Sequence, residues 1–454
     1  MSEERSCVVV TRDCQTEING TACMSYRLDS IEVQNGKRPL EYDQEGENVQ
    51  RKLQKQSDGS NLVGVTLSLG SSSASPPEQT DKQDHAGDNS DRNTLFPALD
   101  RDSSINSLIL CSRSDYGAIA SLNRNFRSLI RSSELYRARR RNGVVEHWVY
   151  FSCQPLEWEA FDPARLRWMR LPRMTPNDCF VLSDKESLGV GTELLVCGKD
   201  VLAHVIYRYS LLTNTWSTGM QMNAPRCLFG KASLGEIAIF AGGCDSQGKI
   251  LSSAELYNSE TGTWTTLRSM TKPRKMCSGV FMDGKFYVIG GIGGADAKLL
   301  TCAEEYDLAT GTWTEIPNMS PVQPNLENDI PDTSAAPPLL AVVDNQLYSA
   351  DYAEMAVRKY EKHNKAWVTI GGLPEGVSSI HGWGLAFRAC GDRLIVVGGP
   401  RVMGRGFIEV HSWAPREGPP EWNLLGQKQS GGISYNSETP WAIWNLPLTR
   451  WGSL

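Results

Sequence analysis

Residues able to move protons, bind metals or attack carbonyls are thinly spread along this chain. The six histidines, His85, His147, His204, His363, His381 and His411, lie far apart, and none falls in an HExxH pair or a local Ser/His/Asp arrangement. A structural zinc needs four Cys or His donors, usually announced by close pairs, and the twelve cysteines contain no C-x-x-C. The Gly-rich stretch GGIGGADAK, Gly290 to Lys298, follows an apolar strand but opens no helix. It therefore lacks the helix N-terminus that cradles a phosphate, and it reads as a loop between strands. No catalytic residues, no metal and no cofactor are expected.

Binding is the remaining chemistry, and binding needs a scaffold to position it. All thirteen tryptophans lie at or after Trp148, whereas residues 1–94 hold only two aromatics, Tyr26 and Tyr42. A segment so poor in large apolar side chains cannot offset its chain entropy, so residues 1–94 are expected to be a disordered tail. The net charge of −6 over 454 residues argues against nucleic acid as the partner. No apolar run is long enough to span a bilayer, so no membrane partner is expected. The N-terminus MSEERSCVVVTRDC does not read as a secretory signal, which points to a reducing compartment and cysteines that act as small buried hydrophobes. Lys37-Arg38 and the later Arg51, Lys52 and Lys55 have bipartite nuclear-import spacing, so nucleus and/or cytoplasm is the expected location.

Internal repetition decides the fold. Tryptophans recur at 168, 216, 264, 313, 367 and 422, in steps of 48, 48, 49, 54 and 55 residues. Seven residues before the first five stand Phe161, Tyr209, Tyr257, Tyr306 and Tyr360. Six residues after them stand Met174, Met222, Met270, Met319 and Leu373. Apolar strands ending in glycine pairs precede three of the units: IAIFAGG, FYVIGG and LIVVGG. The pattern spells a turn, a strand apolar on both faces, and a hairpin closed by a Thr-Gly or Thr-Asn turn. One such sheet cannot bury both faces alone, whereas a closed ring of sheets can. These units resemble the kelch repeat. The resemblance implies a mainly β fold, a six-bladed kelch β-propeller over 144–454, with repeats at about 145–174, 179–222, 227–270, 277–319, 338–373 and 383–426. The last unit lacks an aromatic at the regular offset. The first lacks one strand, which a segment after Leu425 should supply. Ile433 to Tyr435 is the expected start of that strand, within an atypical closing tail at 427–454.

Residues 95–141 are different in kind. Ile105, Leu108 and Ile109 share one helical face, as do Ile119, Leu122, Phe126, Leu129 and Ile130, with Ser103 or Ser104 and Ser114 or Asp115 as candidate caps. The opening Leu95-x-Pro97-x-Leu99 and the later LNRNFRSLI resemble an F-box. Asp100 stands where that family commonly has Pro, and Phe126 where it commonly has Trp. An F-box followed by kelch repeats is similar to the plant F-box/kelch-repeat family. That resemblance implies a substrate-recognition subunit of an SCF-type E3 ubiquitin ligase with no active site of its own. Leu95, Pro97, Leu99, Ile105, Leu108, Leu122, Phe126 and Leu129 would form the surface and core that bind the Skp adaptor, and through it a cullin-RING ligase. The propeller would hold an unidentified protein substrate, with Arg226 and Arg274, in equivalent links between blades, as candidate contacts to an acidic partner. The alternative is a kelch scaffold or metabolic enzyme whose helices only lead into the propeller.

Overall fold

Short-range backbone chemistry draws the strands. Asp283-Gly284 and Asp344-Asn345 each place both central residues in the left-handed region, at φ 53° and 72° and at φ 50° and 60°. This is the turn geometry whose twist matches a pair of antiparallel strands. A second device closes the last hairpin of some units. Asp307 Oδ1 accepts the N–H groups of Ala309 and Thr310, and Gly311 follows at φ 65°. Asn258 does the same for Glu260 and Thr261 ahead of Gly262.

The computed structural model describes residues 95–447 except 97–98, 155–156, 184, 201–202, 295–297, 323–335, 378–381, 383, 400, 403–404 and 430–441. The chain is mostly antiparallel β-sheet. The first sheet orders Ala442–Pro447, His147–Gln154, Glu157–Asp162 and Arg167–Arg170. The second orders Glu186–Val190, Glu193–Lys199, His204–Ser210 and Thr215–Thr218. The third runs Gly230–Leu234, Ile237–Ala241, Ala254–Asn258 and Thr263–Thr266. The fourth runs Ser278–Met282, Lys285–Ile289, Ala303–Asp307 and Thr312–Ile316. The fifth holds Leu339–Val343, Gln346–Asp351, Ala356–Glu361 and Ala366–Gly372. The sixth holds Ala386–Cys390, Arg393–Gly398, Arg405–Trp413 and Asn423–Gln429, with Arg401–Val402 added at its edge. First strands of consecutive sheets pack on one another from the second sheet to the sixth, and Ala442–Pro447 contacts both Glu186–Val190 and Ala386–Cys390. In the Gly-rich stretch, Ile292–Gly293 pairs with Lys298–Leu299 and with Arg274–Lys275, so its described ends are short strands rather than the loop expected.

The seven-residue aromatic spacing is the hairpin register itself. Phe161 faces Trp168, Tyr209 faces Trp216, Tyr257 faces Trp264, Tyr306 faces Trp313 and Tyr360 faces Trp367 across the last two strands. Their ring centroids are 4.7–5.3 Å apart. The following Met174, Met222, Met270, Met319 and Leu373 are buried. The sixth sheet does have its aromatic. Trp413 packs on Trp422 at 5.7 Å, and the Pro415–Glu417 turn between them breaks the regular offset. The missing strand of the first sheet comes from Ala442–Pro447, later than expected. Ile433 to Tyr435 lie outside the described residues.

Ahead of the sheets stand four short helices: α1 (Arg101–Leu108), α2 (Tyr116–Leu122), α3 (Arg124–Arg131) and α4 (Glu134–Arg141). Asp100, rather than Ser103 or Ser104, caps α1, its carboxylate accepting the Ser103 N–H at 2.7 Å. Ser112 opens the turn before α2 by accepting the Ser114 N–H, and Asn123 caps α3 through the Phe126 N–H.

Candidate interaction surfaces

The helical module has a core and an unsatisfied exterior. Leu95, Ile105, Leu108, Phe126 and Leu129 are all buried together with Ile109, Tyr116, Leu135 and Tyr136, and Phe96 meets the Phe126 ring edge-on at 5.2 Å. Pro97 lies outside the described residues. Leu99 and Leu122 point outward, 41% and 69% exposed, and sequence reasoning missed Leu110, 74% exposed just past α1. Leu122 turns outward because the chain is extended at Asn123, φ −159°, so α2 and α3 are not the single helix that one apolar face suggested. Three exposed leucines on a module of this size mark a surface with something to bury.

The module is fastened to the sheets by charge. Arg113 is buried, its guanidinium donating to the Tyr150 hydroxyl at 2.5 Å and the Tyr209 hydroxyl at 2.8 Å, and it lies over the Trp148 ring. Burial pushes both phenols up, so they stay neutral acceptors for the cation. Arg139 on α4 is buried and donates to the carbonyl oxygens of Ile109 and Cys111 and to the Tyr116 hydroxyl, and it pairs with Glu146 at 3.1 Å. Arg140 reaches the third sheet, meeting Glu236 at 2.9 Å and Glu260 at 2.5 Å. Glu236, Glu260 and Leu212 lie in hairpin turns, and Asp162 and Arg167, which meet Ser112 and Asp115, flank the last turn of the first sheet, so the helices cover the turn end of the first three sheets. The longer connections leave from the opposite end.

Arg226 and Arg274 do not face a partner. They are 1% and 0% exposed. Arg226 pairs with Glu255 at 2.6 Å and donates to the Ser253 carbonyl, and Arg274 pairs with Glu304 at 2.8 Å and donates to the carbonyls of Gly290 and Cys302. Each glutamate also accepts two backbone N–H groups, of Asn223 and Ala224 or of Thr271 and Lys272. The two arginines clamp the entry of a sheet to its own third strand, which removes them from the candidate binding residues. Among the described residues no cluster of three or more His, Cys, Asp or Glu could hold a metal. Burial lowers the ring of His204 and drops that of His147 to about 4. No described helix is long and apolar enough to cross a membrane. Lys37, Arg38, Arg51, Lys52 and Lys55 lie outside the described residues.

Comparison with known proteins agrees with this arrangement. The kelch motif matches residues 225–271 and 273–320, which are the third and fourth sheets. The F-box/kelch-repeat protein SKIP11 of Arabidopsis thaliana is 64% identical over 384 residues, covering 84% of this chain and 82% of its own. Two further Arabidopsis thaliana F-box/kelch-repeat proteins are 62% and 60% identical, covering 77% and 74% of this chain and 84% and 77% of their own. With paired aromatics closing each sheet, four short helices ahead of them, and relatives alike over most of both lengths, the chain belongs to the F-box/kelch-repeat protein family.

Proposed function

We propose that the chain is the substrate-recognition subunit of an SCF-type E3 ubiquitin ligase, in which α1–α4 bind the Skp adaptor and the sheets bind the protein to be ubiquitinated. The observation that carries this reading is the outward set Leu99, Leu110 and Leu122 on a module whose other described large apolar side chains are buried or partly buried. The adaptor would cover these leucines, and Leu95, Ile105, Leu108, Phe126 and Leu129 would hold the shape beneath them. The six sheets would close as a six-bladed propeller, a reading supported by the cycle of first-strand contacts through Ala442–Pro447. Because the helices cover the turn end, the target would sit at the end with the longer connections, away from the adaptor. The chain would bring two proteins together and have no active site of its own.

Co-purification of the full chain with the Skp adaptor tests this. A Leu110→Asp, Leu122→Asp variant should fold normally and lose adaptor capture by about tenfold or more, the effect of burying an unpaired charge at an interface. Undiminished capture by that variant would move the adaptor surface off these leucines, and no capture by the native chain would favour the helical lead-in of a kelch scaffold, a reading that the docking through Arg113 and Arg140 also supports.

A further inference from the structure

Two thiols in the third sheet are placed to react with each other. Cys227 sits in the link entering that sheet, and Cys244 follows the glycine pair Gly242-Gly243. The two face each other across an isolated antiparallel bridge. Each N–H donates to the other's carbonyl, Cys227 to Cys244 at 2.9 Å and Cys244 to Cys227 at 2.8 Å. Residues that exchange both bonds stand about 5.5 Å apart at Cα, within the ~4.4–6.8 Å that a disulfide spans. Their Sγ atoms are 3.4 Å apart. A side chain at Gly243 would collide with the Cys227 carbonyl at 2.4 Å, so the glycine is what lets the two segments come this close.

Exposure divides the roles. Cys227 is partly exposed and Cys244 is buried beneath it. The thiols of Cys197 and Cys277 are pushed up by burial, to about 12 and about 11, and remain protonated. Cys244 moves the other way. Its sulfur accepts from the Cys227 thiol, which lowers it against the cost of burial, and the Lys275 ammonium helps.

We propose that Cys227 and Cys244 form an oxidisable dithiol whose substrate is a small hydroperoxide. The Cys227 thiol passes its proton to the Cys244 sulfur and attacks one peroxide oxygen; the O–O bond breaks, Cys227 becomes a sulfenic acid, and the departing oxygen takes the proton from Cys244 and leaves as water. The Cys244 thiolate then attacks the sulfenyl sulfur, the S–O bond breaks, and the second oxygen leaves as water as the S–S bond forms. Two thiols and one hydrogen peroxide give one disulfide and two waters. The bridge would tie the link entering the third sheet to the connection leaving its second strand, at the end of the sheets away from the helices. A reversible bridge of this kind is the form disulfides take in reducing compartments. It does not depend on which partners the chain binds.

The full native chain, reduced and then exposed to graded hydrogen peroxide, is alkylated under denaturing conditions and mapped without reduction. The expected result is a Cys227–Cys244 linked peptide that forms while Cys197 and Cys277 stay alkylatable, and that disappears on adding dithiothreitol. In Cys244→Ser, Cys227 should stop at a sulfenic acid that a dimedone reagent captures. Progress of Cys227 to sulfinic acid in the native chain, its linkage to any other cysteine, or both thiols intact after the exposed Cys179 has been oxidised would overturn the proposal.

Discussion

Arg226 and Arg274 show what spacing can and cannot convey about a single residue. Their equal offset from successive tryptophans located them in the links between sheets, but offset does not say whether a guanidinium turns inward. A usable signal was present: Glu255 and Glu304 stand two residues before Tyr257 and Tyr306, in the same two units that carry the arginines. Removing one partner of such a pair strands a buried charge, so Arg274→Ala should lower stability by about 3–5 kcal/mol in urea unfolding. Leu166 is an opposite case. It takes φ 55° at a turn position where other units use Asn214, Gly262 and Gly311, and its side chain is 56% exposed. Leu166→Gly should therefore stabilise the chain by about 0.5–1 kcal/mol, read as a rise in the urea midpoint. His147 makes a prediction with a pH axis. Its folded value of about 4 lies below the ordinary 6.5, so the unfolded chain binds the extra proton between the two. Its contribution is whole above pH 6.5 and is lost as the pH falls toward 4, and His147→Gln should flatten that part of the stability profile.

Among the elements, the repeat was legible almost to the register because aromatic partners across a hairpin must keep a fixed separation. The sixth unit's paired aromatic escaped notice because two more residues between Trp413 and Trp422 shift the offset without separating the rings. What the spacing did not reveal is how neighbouring sheets are joined. The indole N–H of Trp216 donates to the Pro172 carbonyl, Trp264 to Met220, Trp313 to Arg268, Trp367 to Met319 and Trp422 to Gly372, at 2.7–3.1 Å. Each tryptophan thus packs within one sheet and bonds to the end of the one before. Trp313→Phe should keep the ring contact and lose only the bond, costing about 0.5–1.5 kcal/mol in thermal or urea unfolding, whereas Trp313→Ala should cost more. In the helical module the apolar residues were read correctly and their facing was not, because a break as short as Asn123 is invisible to helical periodicity. That is why Leu122 was grouped with Phe126, whereas Leu110 stands just past the end of α1.

At the scale of the whole molecule, the junction between the ends of the domain matters most. The strand Ala442–Pro447 runs beside His147–Ser152 with six facing residue pairs, and it also contacts the first strands of the second and sixth sheets. Ending the chain at Ser430 should leave the His147–Ser152 edge without a partner. Amide exchange there should then be much faster than at Tyr287 to Ile289, and the shortened chain should aggregate on warming. Comparable protection at both sites in the shortened chain would show that the first sheet stands without that strand. The same junction sets a clock on biosynthesis. A ribosome adding about 5–20 residues each second needs on the order of 15–60 seconds to travel from the first strand to its late-made neighbour. Throughout that interval the growing domain carries an open sheet edge, and chaperones that hold such edges have their window before Ala442–Pro447 emerges.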